Sequence, residues 1–232
     1  MSALATRKQH PNTKGQQLSY PLLFWLFIAG SLLGFVMEGV FHLLREGSWA
    51  FRVGTLWGPF CVIYGAGAVV MYLAALMLQD KKPLTQFAVF ALTGSAVELL
   101  SGVFQQIFFG TQSWNYSSHA LNLGGFVSLR MTFLWGLAGM ALMYAVLPVL
   151  LHSFSRLKLD RRMMLCRAMT VFMCVNLMMT SIALMRWHER AVQGTAASNA
   201  VEAWMDARWP DDRMRERFPN MEFVGSRDVS GL

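Results

Sequence analysis

Long apolar stretches without any Asp, Glu, Lys or Arg alternate with short charged segments along the chain. They run from Gln16 to Met37, Val53 to Gln79, Leu99 to Asn122 and Met131 to Ser155, with Ala168 to Met185 a little shorter. A helix needs roughly 20 mostly apolar residues to cross a bilayer, and in lipid its backbone polar groups must be satisfied within the segment. Five membrane-crossing helices are therefore expected, over about 19–44, 57–79, 85–109, 124–151 and 167–186. The fold class is an all-α, polytopic membrane helical bundle with a short helical C-terminal tail. Residues 1–18 form an N-terminal tail, 19–186 the transmembrane domain and 187–232 a polar extramembrane tail. Within that tail, Ala196 to Arg208 reads as an amphipathic helix with Val201, Trp204 and Met205 on one side, and Asp211-Asp212 opens another. Too small for a core of its own, the tail is expected to lie on the membrane surface or to cap the bundle.

The polar positions inside the apolar stretches are not scattered. In the third helix Gly94, Ser95, Glu98, Ser101, Gly102 and Gln105 recur at spacings of three and four, which puts them on one face. The first helix repeats this with Gly30, Ser31, Gly34, Glu38, His42 and Arg45, including a close-packing Gly-x-x-x-Gly. Gly54, Gly58, Pro59, Gly65 and Gly67 favour an irregular start to the second helix. The fourth opens on Asn122, Gly124 and Gly125 and carries Arg130 one to two turns in. Between helices three and four, Trp114, Asn115, Tyr116, Ser117 and His119 form a polar aromatic loop without formal charge. Helix five offers only Asn176, Thr180 and Ser181 and reads as peripheral packing.

Composition agrees with the pattern. Of the 232 residues, 55% are hydrophobic and only 14% charged, against about 25% charged in an average soluble domain, so an ordinary soluble enzyme is excluded. The net charge of +7 would raise the question of nucleic acid in a soluble protein; here it sets orientation. Arg7, Lys8, Lys14, Lys81, Lys82, Arg156, Lys158, Arg161, Arg162 and Arg167 fall on one side of the membrane, and Arg45 and Arg52 on the other. Basic residues near helix ends resist export, so the N-terminus is expected in the cytoplasm and the tail after Arg186 outside. The apolar run after the basic N-terminus is too long for a cleaved signal, and the first helix is expected to be retained. Cys61, Cys166 and Cys174, all in or beside spans, read as small hydrophobes.

With that topology, Glu38, His42, Arg52, Tyr64, Glu98, Gln105, Trp114, Asn115, Tyr116 and Arg130 are expected to converge in the outer half of the bundle as a substrate-binding set. Ionisable groups at membrane depth are costly and mark functional positions by default. Each also has a structural reading. Glu38 and His42 suit an interfacial cap, Glu98 a pairing with Arg130 or a tyrosine, Arg130 outward snorkelling, and the loop aromatics an interfacial belt. Glu38, His42 and Glu98 lack a metal-ligand spacing, so no metal site is assigned.

The ordered set Gly34-Phe35-Val36-Met37-Glu38, Arg52-Val53-Gly54-Thr55-Leu56-Trp57-Gly58-Pro59-Phe60-Cys61-Val62-Ile63-Tyr64-Gly65, Glu98, Trp114-Asn115-Tyr116-Ser117 and Asn122-Leu123-Gly124-Gly125 resembles the CmpB-like ABC-transporter type IV family of bacteria. The likeness covers roughly residues 25 to 150. Asn115 stands where the family usually has Asp, and Arg52-Val53-Gly54 and Gly125-Phe126 where Asn-Arg-Gly and Gly-Arg are common. An acid and a base are thus missing together. The resemblance implies a permease subunit for a small molecule in the bacterial cytoplasmic membrane. With no phosphate-binding Gly-x-x-x-x-Gly-Lys-Ser/Thr loop in the chain, any ATPase would be a separate subunit. No nucleophile motif, catalytic set or cofactor signature is present. Membrane lipid is an expected partner, nucleic acid is not, and a homo-oligomer stays open. A membrane-embedded enzyme acting on a lipid-linked substrate, and a non-catalytic scaffold or sensor, are the alternatives.

Overall fold

A computed structural model describes residues 18–49, 52–78, 80–156 and 159–224. Arg7, Lys8, Lys14 and Lys158, which enter the orientation argument, lie outside the described residues. Helix α1 (Tyr20–Glu46) has a proline in its first turn and stops at Gly47, whose φ of 70° only glycine adopts without strain. Helix α3 (Pro83–Phe109) has the same punctuation, Pro83 at its start and Gly110 at its end. Between them lies α2 (Val62–Met77), which is only 16 residues long. At 1.5 Å per residue it covers about 24 Å, less than the roughly 30 Å hydrocarbon layer.

The fourth rod is α4 (Leu129–Ala141), a π-turn at Leu142–Val146 and α5 (Leu147–Arg156) in sequence. The fifth is α6 (Leu159–His188), prolonged by a π-turn at Glu189–Gln193. Among the described residues four stretches are long and apolar enough to cross a membrane: Tyr20–Glu46, Pro83–Phe109, Leu129–Ser153 and Asp160–Gln193. With the shorter α2 they make an all-α membrane bundle, and the chain is a multi-pass membrane protein.

Helix ends depart from the expected spans in several places, and the fourth rod runs on to Arg156 rather than 151. Helix α2 starts at Val62 rather than near 57, because Gly58 has a φ of 76° and Pro59 follows it. Helix α4 starts at Leu129 rather than 124. Residues 122–128 form a hairpin of β2 (Asn122–Leu123) and β3 (Val127–Ser128), turned through Gly124 and Gly125 at positive φ. Helix α6 extends beyond 167–186 at both ends, since hydropathy marks where lipid begins and not where the backbone stops being helical.

Close helix pairs follow the small residues. A Cβ on Gly34 would lie 2.3 Å from the Tyr64 ring of α2, and one on Gly94 would lie 2.6 Å from Trp135 of α4. Only glycine at these points lets α1 meet α2, and α3 meet α4, at this distance. Leu22, Leu26, Met71, Tyr72, Phe90, Trp135 and Leu147 fill the space among these helices.

A second core lies at the end of the bundle that carries residues 52–61 and the tail. Helices α7 (Ala200–Arg208) and α8 (Asp211–Arg217) set Met205, Trp209, Met214 and Phe218 against Ala183, Leu184 and Trp187 of α6 and Leu56. Strand β4 (Glu222–Phe223) pairs antiparallel with β1 (Thr111–Gln112). The tail therefore caps the bundle. Of the three apolar residues expected on one side of α7, Met205 is buried at 1% exposure whereas Val201 and Trp204 remain exposed at 63% and 52%.

Candidate functional site

Residues 52–61 run irregularly into the bundle, and Thr55, Leu56, Phe60 and Cys61 are buried. Non-helical backbone at this depth requires polar partners within the protein, and α6 supplies them. Thr180 Oγ1 accepts from Leu56 N at 2.9 Å; Asn176 Oδ1 accepts from Trp57 N at 3.1 Å, and its amide donates to Trp57 O at 2.7 Å. Arg217 of α8 donates to Thr55 O at 2.9 Å and to Gly58 O at 2.5 Å. Helix α6, expected to be peripheral, pins this segment, and the segment sets the positions of Arg52 and Tyr64.

On that frame two carboxylates are held by two matching devices. Gly34 precedes Glu38 by one turn of α1 and seats Tyr64, which donates to Glu38 Oε1 at 2.6 Å. Gly94 precedes Glu98 by one turn of α3 and seats Trp135, whose Nε1 donates to Glu98 Oε2 at 3.1 Å. The Tyr64 and Trp135 rings meet with centroids 5.3 Å apart, which joins the two halves into one cluster. Arg52 Nη1 lies 3.6 Å from Glu38 Oε2, with both side chains about a quarter exposed.

Glu98 is different: it is 3% exposed, and its second oxygen accepts from the Tyr116 hydroxyl at 3.0 Å. Both carboxylate oxygens are thus bonded to neutral donors, and no cation pairs with Glu98 among the described residues. Burial, and then the charge of Glu98, push the Tyr116 phenol above its ordinary range, which keeps it a donor.

Tyr116 comes from a loop, and its placement depends on several loop contacts. Tyr116 N donates to Gly125 O at 2.8 Å, Trp114 Nε1 to Phe126 O at 3.0 Å, and Gln105 to Ser113 Oγ at 2.7 Å. Asn115 Oδ1 accepts from Ser117 N at 2.9 Å and closes the turn; a Cβ on Gly125 would come within 2.7 Å of it. His119 stacks on Tyr116 at 5.2 Å and meets Ser128 Oγ at 3.3 Å.

The structure thus brings Glu38, Arg52, Tyr64, Glu98 and Tyr116 together, with Trp114, Asn115 and Gln105 holding the loop that delivers Tyr116. It does not bring in His42 or Arg130. His42 Nδ1 bonds Ser48 O at 2.8 Å beyond the end of α1. Arg130 is exposed on the far side of α4, without an ion pair to Glu38, Glu98 or any other described residue. Because α4 begins at Leu129, Arg130 lies five residues before Trp135, about 140° away around the helix.

Four contributors were not anticipated. Trp135 looks like one more apolar helix residue, and only its place opposite the small stripe of α3 hints at its role. Asn176 and Thr180 are four apart on one face of α6, the pattern that also marks α1 and α3. Arg186, 4% exposed, marks only the start of the tail in the sequence, yet it donates to both oxygens of Asp206, at 3.2 and 2.7 Å, and to Glu189 at 2.7 Å. Among the described residues no cluster of His, Cys, Asp or Glu could hold a metal ion.

No curated protein and no solved structure matches the chain. Residues 25–181 match the family described as Putative ABC-transporter type IV. That range carries most of α1, α2 to α5, most of α6 and every member of the carboxylate cluster, and the chain belongs to this family.

Proposed function

We propose that the chain is the membrane subunit of a transporter, and that its small-molecule cargo is handled at the Glu38–Glu98 cluster. The observation that carries this reading is Glu98, buried at membrane depth with both oxygens on neutral donors and no cation beside it among the described residues. A structural ion pair would bring a cation to that carboxylate. A site that must exchange partners is better served by neutral donors, which carry no charge of their own to be stranded when they give way to a cargo group. Glu38 with Arg52 forms the more open half of the same cluster. With two carboxylates and one guanidinium, the cluster favours a cationic or donor-rich cargo.

Tyr116 sits on a loop and not on a helix, so displacement of residues 113–117 uncovers Glu98 Oε1 while Trp135 still holds Oε2. The basic residues favour a cytoplasmic N-terminus, and with that orientation this loop and the tail cap lie on the outer face of a bacterial cytoplasmic membrane. Any ATPase is a separate subunit, because the chain has no phosphate-binding loop of its own.

The test is uptake into proteoliposomes containing the full chain, with each candidate ATPase, screened against small cationic and polar solutes. Glu98→Gln keeps the shape and one acceptor oxygen; it is expected to leave folding intact and to abolish accumulation. Transport at the wild-type rate in Glu98→Gln would reject the reading, as would the absence of movement of any solute by the wild-type chain.

A further inference from the structure

Arg130 is the second residue of α4, at the mouth of the Leu129–Ser153 span, a depth at which lipid headgroups lie. It lines a groove of about 750 Å³ together with His119, Leu121, Leu129, Phe133 and Leu134, and no acidic side chain contributes to the wall. A cation at this depth is normally balanced by a protein carboxylate or a lipid phosphate. The two bundle carboxylates are engaged elsewhere, Glu38 by Tyr64 and Arg52, Glu98 by Tyr116 and Trp135. The groove floor is apolar and open, with Leu121 76%, Leu129 57% and Phe133 55% exposed. It is also fixed in place: Leu129 N bonds Leu121 O at 3.2 Å, and His119 is held by Ser128.

We propose that this groove binds an anionic phospholipid, with the phosphate on Arg130 and an acyl chain along Leu121, Phe133 and Leu134. Uncompensated positive charge above an apolar wall selects for a ligand with negative charge at one end and hydrocarbon at the other. His119 links the groove to Tyr116, and through it to Glu98, so an occupied groove would brace the loop that covers the buried carboxylate. The proposal does not depend on the transporter reading and is tested without any transport assay.

The full chain is purified in mixed micelles containing equal phosphatidylglycerol and phosphatidylcholine of the same acyl composition, and retained lipid is counted by native mass spectrometry. One arginine near an anionic headgroup gives about a fivefold preference, so phosphatidylglycerol is expected to be retained about fivefold over phosphatidylcholine. Arg130→Gln should bring the ratio close to one, Arg130→Lys should restore most of it, and Arg215→Gln on α8 should leave it unchanged. Equal retention of the two lipids by the wild-type chain overturns the proposal. So does a preference that survives Arg130→Gln, or full displacement of the lipid by millimolar inorganic phosphate.

Discussion

At the residue scale, the two glutamates depend on the glycines one turn before them. Gly34 and Gly94 have no room for a Cβ, and the atoms in the way belong to the Tyr64 and Trp135 rings that donate to Glu38 and Glu98. Gly94→Ala is therefore expected to cost about 1–3 kcal/mol through overpacking and to loosen the Trp135 bond as well. Gly47 has open space around it but a φ of 70°, so Gly47→Ala should cost only about 1 kcal/mol, by backbone strain alone. Thermal unfolding in detergent compares the two, and a Gly94→Ala cost smaller than that of Gly47→Ala would show that Trp135 is not seated as described. Glu98→Ala orphans two buried donors at about 1–3 kcal/mol each, whereas Glu98→Gln should be much milder. Glu38, Tyr64, Glu98 and Tyr116 were legible in the sequence because ionisable or phenolic groups in apolar surroundings stand out. Trp135 was not, since an indole in a membrane helix resembles any other apolar residue until its N–H is seen to have a partner. Arg130 was legible as a cation at depth, but its direction was not, because that depends on where α4 begins.

At the scale of elements, the bundle is two similar hairpins, α1 with α2 and α3 with α4, each pairing a glycine-and-glutamate helix with an aromatic donor on its neighbour. The long apolar runs gave these helices away from sequence. Their ends were harder to place, because positive-φ glycines at 58, 124 and 125 stop a helix inside a stretch that hydropathy treats as continuous. The non-helical segment before α2 was suggested by its glycines and proline, but its support was not. The hydrogen-bonding partners lie about 120 positions away on α6, at Asn176 and Thr180, and no local pattern reports such a pairing. Asn176→Leu is expected to orphan Trp57 N, to leave Trp57 O with the Thr55 hydroxyl alone, and to expose residues 52–61. Hydrogen–deuterium exchange should show that segment exchanging at least tenfold faster while α3 keeps its protection. Unchanged exchange over 52–61 would mean that α6 does not hold the segment.

For the molecule as a whole, the capping of the bundle by its own tail rests on a few charges around one buried guanidinium. Arg186 at the end of α6 meets Asp206 on α7 and Glu189 on its own π-turn, while Arg190 bonds Asp206 and Asp211. The hydrogen bonds from Arg186 hold the Asp206 carboxyl below its ordinary range, which is about 3.9 in a free chain. A depressed carboxyl contributes stability that is fully present above the ordinary value and is lost as pH falls through the lower folded value. Glu202 is shifted the same way, first by the Ser198 backbone N–H, so its contribution has the same sign. The cap should therefore stay docked from neutral pH down to about pH 4 and release below that. The membrane helices, which carry few carboxylates, should persist. Release would expose Trp209, now 8% exposed, and free the grip of Arg217 on Thr55 and Gly58. Tryptophan emission together with exchange in residues 200–218, followed from pH 7 to pH 3, reads both events. Asp206→Asn should move release of the cap up into the neutral range, because Arg186 then keeps Glu189, the Thr195 carbonyl at 3.4 Å and the more distant Glu202, at 3.6 Å, and loses its link to α7 through Asp206. A cap that stays protected at pH 3, or an Asp206→Asn chain indistinguishable from wild type at pH 7, would place the hold of the tail in the apolar contacts of Met205, Met214 and Phe218 instead.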